Sequence, residues 1–237
     1  MHIIFTITTL PYQRKQLNRI SCLKDSDGRI VEGDARVGRI AHDYFVHLFA
    51  TQGVINEEDI LLGVDKCIID LMNTDLDRPF TKEDIFSALL LMSPLKASGE
   101  DGLGAVFYQH FWHILGDEVA GYCIGLLNGE FPINLINHTY IVLIPKVKSP
   151  RSMMNFCPIS LCNVLYKIAS NALVNRFQEV LQFCIDEAQS AFVPGRPISD
   201  NIVAAYEFFH SMKNRTSGNE GSFALKLDMS KAYDRIE

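Results

Sequence analysis

The residue most able to do chemistry is Asp228, which closes the alternating run Phe223-Ala224-Leu225-Lys226-Leu227-Asp228. In an extended chain Phe223, Leu225 and Leu227 face one way, and Ala224, Lys226 and Asp228 the other. A carboxylate at the open end of a buried strand is a usual holder of a hard cation such as Mg²⁺ beside phosphates. The same pattern also fits a strand-end aspartate that caps the helix beginning near Ser230. Tyr233 follows where a ring could pack against a sugar. Asp234, nearly two turns along that helix, is a poor partner for the same ion and reads as a helix-surface acid.

Other cations lie upstream. Arg196, in Pro194-Gly195-Arg196-Pro197, has no acid beside it in sequence, and its planar fork suits phosphate capture as well as an ordinary exposed loop. Lys146 and Lys148, with Arg151, flank an apolar, β-branched run at Tyr140–Pro145 that predicts a strand, and they could line a nucleic-acid backbone groove.

Several chemistries are set aside. Gly99-Glu100-Asp101-Gly102 lacks the Lys-Ser/Thr sequel of a phosphate-cradling loop. His110 and His113 have no third ligand arranged near them, so they read as surface or half-buried side chains on one helix. The six cysteines carry no repeated short spacing, which excludes a zinc ribbon and predicts reduced, mostly buried thiols in an intracellular protein. No Ser-His-Asp or Gly-x-Ser-x-Gly arrangement occurs.

The elements that must position these groups are mainly helical. Val37, Ile40, Ala41, Tyr44, Phe45 and Leu48 form one stripe of a helix, and a shorter helix is expected near Lys66–Met72. Thr81 caps a helix whose stripe is Ile85, Ala88, Leu89 and Met92 and which Pro94 ends. Helical patterns cover 105–115 and 118–128. The clearest runs from Leu165 to Leu181, and another extends from Ser199 or Asp200 to about Met212 with Ile202, Tyr206 and Phe209 on one side. Lys24-Asp25-Ser26-Asp27-Gly28 is a turn by composition.

Composition narrows the class further. The 237 residues are 48% apolar, too many for general disorder, and no apolar run is long enough to span a bilayer. The net charge of −6 is uneven: residues 1–137 hold 11 basic and 19 acidic side chains, whereas 138–215 hold 8 and 5. A dedicated, strongly basic nucleic-acid binder is excluded, while a local basic surface in the second half is not.

Four segments in order carry a family resemblance: Ile144-Pro145-Lys146, Phe156-Cys157-Pro158-Ile159-Ser160, Gln189-Ser190-Ala191-Phe192-Val193-Pro194-Gly195-Arg196, and Leu227-Asp228-Met229-Ser230-Lys231-Ala232-Tyr233-Asp234. Together they resemble the reverse transcriptase of plant non-LTR (LINE-type) retrotransposons, and Lys96-Ala97-Ser98-Gly99-Glu100-Asp101-Gly102 resembles its upstream finger motif. The resemblance implies an α+β chain: a linker over 1–75, a mainly helical fingers region of a right-hand polymerase over 76–222, and the first palm strand from 223. It implies an RNA-directed DNA polymerase that extends a DNA primer on an RNA template by two-metal phosphoryl transfer, with two Mg²⁺ ions about 3.5–4 Å apart. By resemblance Asp228 is the first metal-holding carboxylate, Tyr233 screens the sugar, and Arg196 with the basic finger positions Lys146, Lys148 and Arg151 touches triphosphate or template.

The family's paired catalytic aspartates would lie past Glu237, so the chain reads as a truncated piece, expected to be inactive alone. Cys157 stands where the family usually has arginine. Ser98 and Glu100 replace two usual prolines, which is expected to loosen the upstream loop. Two other readings are a non-catalytic nucleic-acid-binding module and a helical protein-interaction piece. Neither a membrane partner nor a nuclear-import cluster is indicated, and nucleus or cytoplasm stays open.

Overall fold

The computed structural model describes residues 20–51, 53, 62, 65–190, 193, 195–214 and 223–227. Asp228 and Tyr233 lie outside them. The described residues up to Gly53 with Pro79–Val174 make one compact unit; those within Val54–Arg78 and Asn175–Glu237 make a second.

In the first unit, the carboxylate of Asp25 accepts the backbone N–H groups of Asp27 (3.0 Å) and Arg29 (2.8 Å), and Gly28 takes the positive φ of 78°. That Asx turn closes an antiparallel hairpin of β1 (Cys22–Lys24) and β2 (Ile30–Glu32). Helix α1 (Asp34–Leu48) follows Gly33, with Asp34 at the positive end of its dipole. Val37, Ala41 and Phe45, four residues apart, put one face inward. They pack with Leu23 of β1 against a second hairpin, β3 (Thr139–Pro145) and β4 (Phe156–Cys162). These strands pair antiparallel from Thr139 opposite Cys162 to Pro145 opposite Phe156. Ile141, Leu143 and Phe156 point into this core, and the fully buried rings of Phe45 and Phe156 contribute about 1.5–3 kcal/mol each.

A second core of the same unit is helical. After the short helix α2 (Asp70–Leu76), which belongs to the other unit, the capping box of Thr81 and Asp84 opens α3 (Lys82–Leu90). Its Ile85, Ala88 and Leu89, with Met92 beyond, meet Tyr108 of α4 (Ala105–His110), Ala120 and Cys123 of α5 (Trp112–Leu127), and Val164 and Ile168 of α6 (Val164–Cys184). Gln109 donates to the carbonyls of Leu89 (3.0 Å) and Met92 (2.9 Å), fastening α4 to the end of α3. The expected single helix bearing His110 and His113 is broken at Phe111, which leaves α4 and enters α5 with a non-helical ψ of 17°.

The second unit holds α2, the later turns of α6, and α7 (Ile198–Asn214). Buried Arg176 donates to the carbonyls of Leu76 (3.0 Å) and Arg78, tying α6 to the end of α2. The stripe Ile202, Tyr206 and Phe209 is present on α7, yet α7 has no buried residue.

Two expectations change, and one strand lies where none is expected. Residues 223–227 form no strand: they pair with no strand among the described residues, and Phe223, Leu225 and Leu227 are exposed. Strand β4 was not foreseen, because Pro158 argues against a strand. In a two-stranded ribbon both strands are edges, where proline is tolerated. The thiols are not mostly buried either. Cys123 is, but Cys67, Cys157 and Cys184 are exposed, Cys157 because β4 alternates and places it opposite Ile144 on the outer face. Among the described residues no helix is long and apolar enough to cross a membrane.

Candidate nucleic-acid interface

The β3–β4 hairpin presents the clearest candidate site. Its inner face is fixed by α1 and β1, so the connection from Lys146 to Asn155 projects from a packed base. The ends of that connection are tied down. The N–H of Lys146 donates to Asn155 O (2.8 Å), that of Lys24 to Arg151 O (2.7 Å), and those of Arg151 and Ser152 to Asn155 Oδ1 (3.3 and 3.1 Å). Ser152 and Asn155 close a capping box around one 3₁₀ turn, Met153–Asn155, and Met153 plugs into the core beneath.

This scaffold holds Lys146, Lys148 and Arg151 out in solvent, all three exposed. None has an ion-pair partner among the described residues. The sequence helps: residues 131–178 contain five Lys or Arg and no Asp or Glu. Three unpaired cations on one short loop attract a polyanion by releasing its counterions, and the attraction weakens with salt. Lys24 is exposed too, and its backbone N–H is bonded to the carbonyl of Arg151. Sequence reading missed Lys24, because the pairing spans more than a hundred residues and leaves no local signal.

The outer face of the ribbon is apolar, with the cross-strand pairs Tyr140–Leu161, Val142–Ile159 and Ile144–Cys157. Beside it lies the loop 96–102. Contrary to the looseness expected from Ser98 and Glu100, this loop is held at three points. Lys167 Nζ donates to Ala97 O (2.6 Å). Tyr140 bonds to the Glu100 carboxylate, which raises the phenol's pKa. Gly99 sits so close to the β4–α6 junction that a Cβ there would lie 2.2 Å from Asn163 Oδ1 and 2.6 Å from its backbone nitrogen. Burial lowers the pKa of Lys167, Lys96 pushes the same way, and Cys162 and Asp101 oppose. Glu100 thus brings one carboxylate to the base of the ribbon, at the end away from the basic tip.

Arg196 is placed differently. Its guanidinium donates to four carbonyls, one in the last turn of α6 and three just past its end: Nη2 to Gln182 (3.5 Å) and Ile185 (3.3 Å), Nη1 to Asp186 (2.6 Å) and Gln189 (2.9 Å). A cation over the negative end of a helix is favourable, and here it also joins that end to the carbonyls of Asp186 and Gln189. The side chain is engaged in the second unit, whereas the three hairpin cations belong to the first. His110 and His113 are exposed, and His110 stacks edge-on against Phe111 at 4.8 Å. Among the described residues no group of three His, Cys, Asp or Glu side chains could hold a metal ion.

No family model matches the chain. It is 31% identical over 230 residues to the "Transposon TX1 uncharacterized 149 kDa protein" of Xenopus laevis. The match takes in 95% of this chain and 17% of that relative, so the chain spans about a sixth of the relative's length. The chain is therefore homologous to one region of a transposon-encoded protein.

Proposed function

We propose that this chain corresponds to the fingers-side region of a retroelement reverse transcriptase and that its β3–β4 hairpin is a nucleic-acid-facing element. The observation that carries the reading is the solvent-facing cluster Lys146, Lys148 and Arg151 on a loop whose ends are pinned. The motif order and the transposon relative support it. The ligand is a single strand of RNA template, with a DNA primer engaged by parts of the larger protein. Plant LINE-type ancestry belongs to the same proposal.

In the intact polymerase Mg²⁺ would supply charge stabilisation for phosphoryl transfer, with Asp228 as one ligand and Tyr233 beside the sugar. The hairpin's own part is to hold the strand by its phosphates. Arg196 enters this reading as a cation held by backbone carbonyls, and any contact with a triphosphate would require it to release them.

Cross-linking of the full chain to a photoreactive single-stranded RNA tests the proposal. Cross-linked peptides should cluster in 140–167, and yield should fall when Lys146, Lys148 and Arg151 are all changed to Gln. Cross-links spread evenly along the chain, with no change in the triple variant, would contradict it. With primer, template, dNTPs and Mg²⁺ the chain alone is expected to bind without extending the primer.

A further inference from the structure

We propose that Ser149, at the tip of the β3–β4 connection, is the acceptor for a proline-directed serine kinase that uses ATP. Its consequence rests on the nucleic-acid reading above; the assignment of the acceptor does not. The chain contains two Ser-Pro pairs, Ser93-Pro94 and Ser149-Pro150, and both serines are exposed. Their backbones separate them.

Around Ser93 the chain is fastened. Ser93 O accepts from Lys96 N (2.9 Å), Pro94 O from Val106 N (3.3 Å), and Met92 O from the Gln109 amide (2.9 Å), while the Met92 side chain is buried in the helical core. A kinase cleft takes its substrate extended, so presenting Ser93 would break all of these. Around Ser149 there is nothing to break. Among the described residues, no backbone group of 147–150 is hydrogen-bonded, and the ties begin at Lys146 and Arg151.

The local conformation favours the same choice. Ser149 has a φ of 56°, which a side chain other than glycine rarely adopts and which a following proline disfavours further. Straightening the segment relieves that strain. Pro150 offers no N–H, so a kinase pocket that is apolar and lacks a hydrogen-bond acceptor selects it, and Arg151 adds a cation directly after it.

In the transfer, Ser149 Oγ attacks the γ-phosphorus of ATP. The new O–P bond forms as the bond to the β–γ bridging oxygen breaks, ADP leaves, and the hydroxyl proton passes to a base of the kinase. The product carries about −1.5 to −2 charges at neutral pH, set among Lys146, Lys148 and Arg151. Its oxygens pair with those cations in place of the phosphates of a bound strand. Losing roughly two effective contacts should weaken single-strand binding about 25-fold at about 0.1 M salt.

The test treats the full chain with a proline-directed kinase and ATP, maps the phosphate by mass spectrometry, and titrates modified and unmodified chains with oligo(U). Phosphate is expected on Ser149 with Ser93 spared and affinity about 25-fold lower; Ser149→Ala should resist modification and bind like the unmodified chain. Phosphate on Ser93 alone, or none, overturns the assignment. Phosphate on Ser149 with unchanged affinity overturns the consequence. An unmodified chain that fails to bind overturns the function proposed above, whereas phosphate mapped to Ser149 in that sample still supports the acceptor.

Discussion

The two compact units are held together by different physics. The first buries two apolar clusters, one around Phe45 and Phe156 and one around Ile85, Leu89 and Ile168. In the second, arginine does much of that work. Arg176 is buried against the carbonyls of Leu76 and Arg78, and Arg196 gathers four carbonyls at and beyond the end of α6, while α7 keeps no buried residue. Apolar packing stabilises in proportion to area removed from water. Guanidinium-to-carbonyl bonds depend instead on a few atoms being in place. The first unit should therefore tolerate surface change but not core truncation, and the second should fail when one cation is lost.

The sharpest way to break the contrast is to truncate an aromatic in each unit. Phe45→Ala should cost about 3–5 kcal/mol of stability in denaturant melts, whereas Tyr206→Ala on exposed α7 should stay within about 0.5 kcal/mol. Equal losses would erase the distinction. Next in size, Arg176→Met keeps the aliphatic stem but strands two carbonyls, for an expected cost of roughly 2–3 kcal/mol. Hydrogen exchange should quicken in 70–78 and 175–184 and leave the amides of α3 and α5 protected.

Gly99→Ala sharpens the picture within the first unit. The added methyl has to displace Asn163 and the β4–α6 junction, at about 1–3 kcal/mol by overpacking. Thermal melts should show the loss, while Gly28→Ala tests only the strain of a positive φ in open space.

A pH dependence probes the helical core of the first unit without mutation. Burial pushes the Cys123 thiol up from its ordinary 9.0 to about 12, so the folded chain keeps a proton that the unfolded chain releases. That stabilisation is fully present below pH 9 and is lost as pH rises toward 12, at about 1.4 kcal/mol per pH unit. Tyr108, raised first by burial, adds to the upper end of the decline. Melts between pH 8 and pH 11 should show this slope, and Cys123→Ala should flatten it. At pH 8 iodoacetamide should label exposed Cys67, Cys157 and Cys184 well before Cys123.

What the sequence disclosed follows from range. Helices α1, α3 and α6 were legible because their stripes repeat every three or four residues, and Thr81 with Asp84 announces a cap within one turn. Strand β4 was not, since Pro158 masks it and its partner is fixed by register with β3 rather than by its own pattern. The exposure of Ile202, Tyr206 and Phe209 was equally hidden, because periodicity tells which residues share a face and not whether anything covers it. Of the site, Lys146, Lys148 and Arg151 were found through the strand they follow. Lys24 and the anchoring of loop 96–102 by Lys167 and Tyr140 depend on contacts between distant segments. Arg196 was visible as a lone cation, but its four carbonyl partners are backbone groups, which no side-chain pattern records.

The hairpin's role is tested most directly by the salt dependence of oligo(U) binding to the full chain. Three phosphate contacts predict a slope of log K against log salt near −2, falling toward zero when Lys146, Lys148 and Arg151 are all replaced by Gln. A slope unchanged in that triple variant would place the contacts elsewhere and contradict the account.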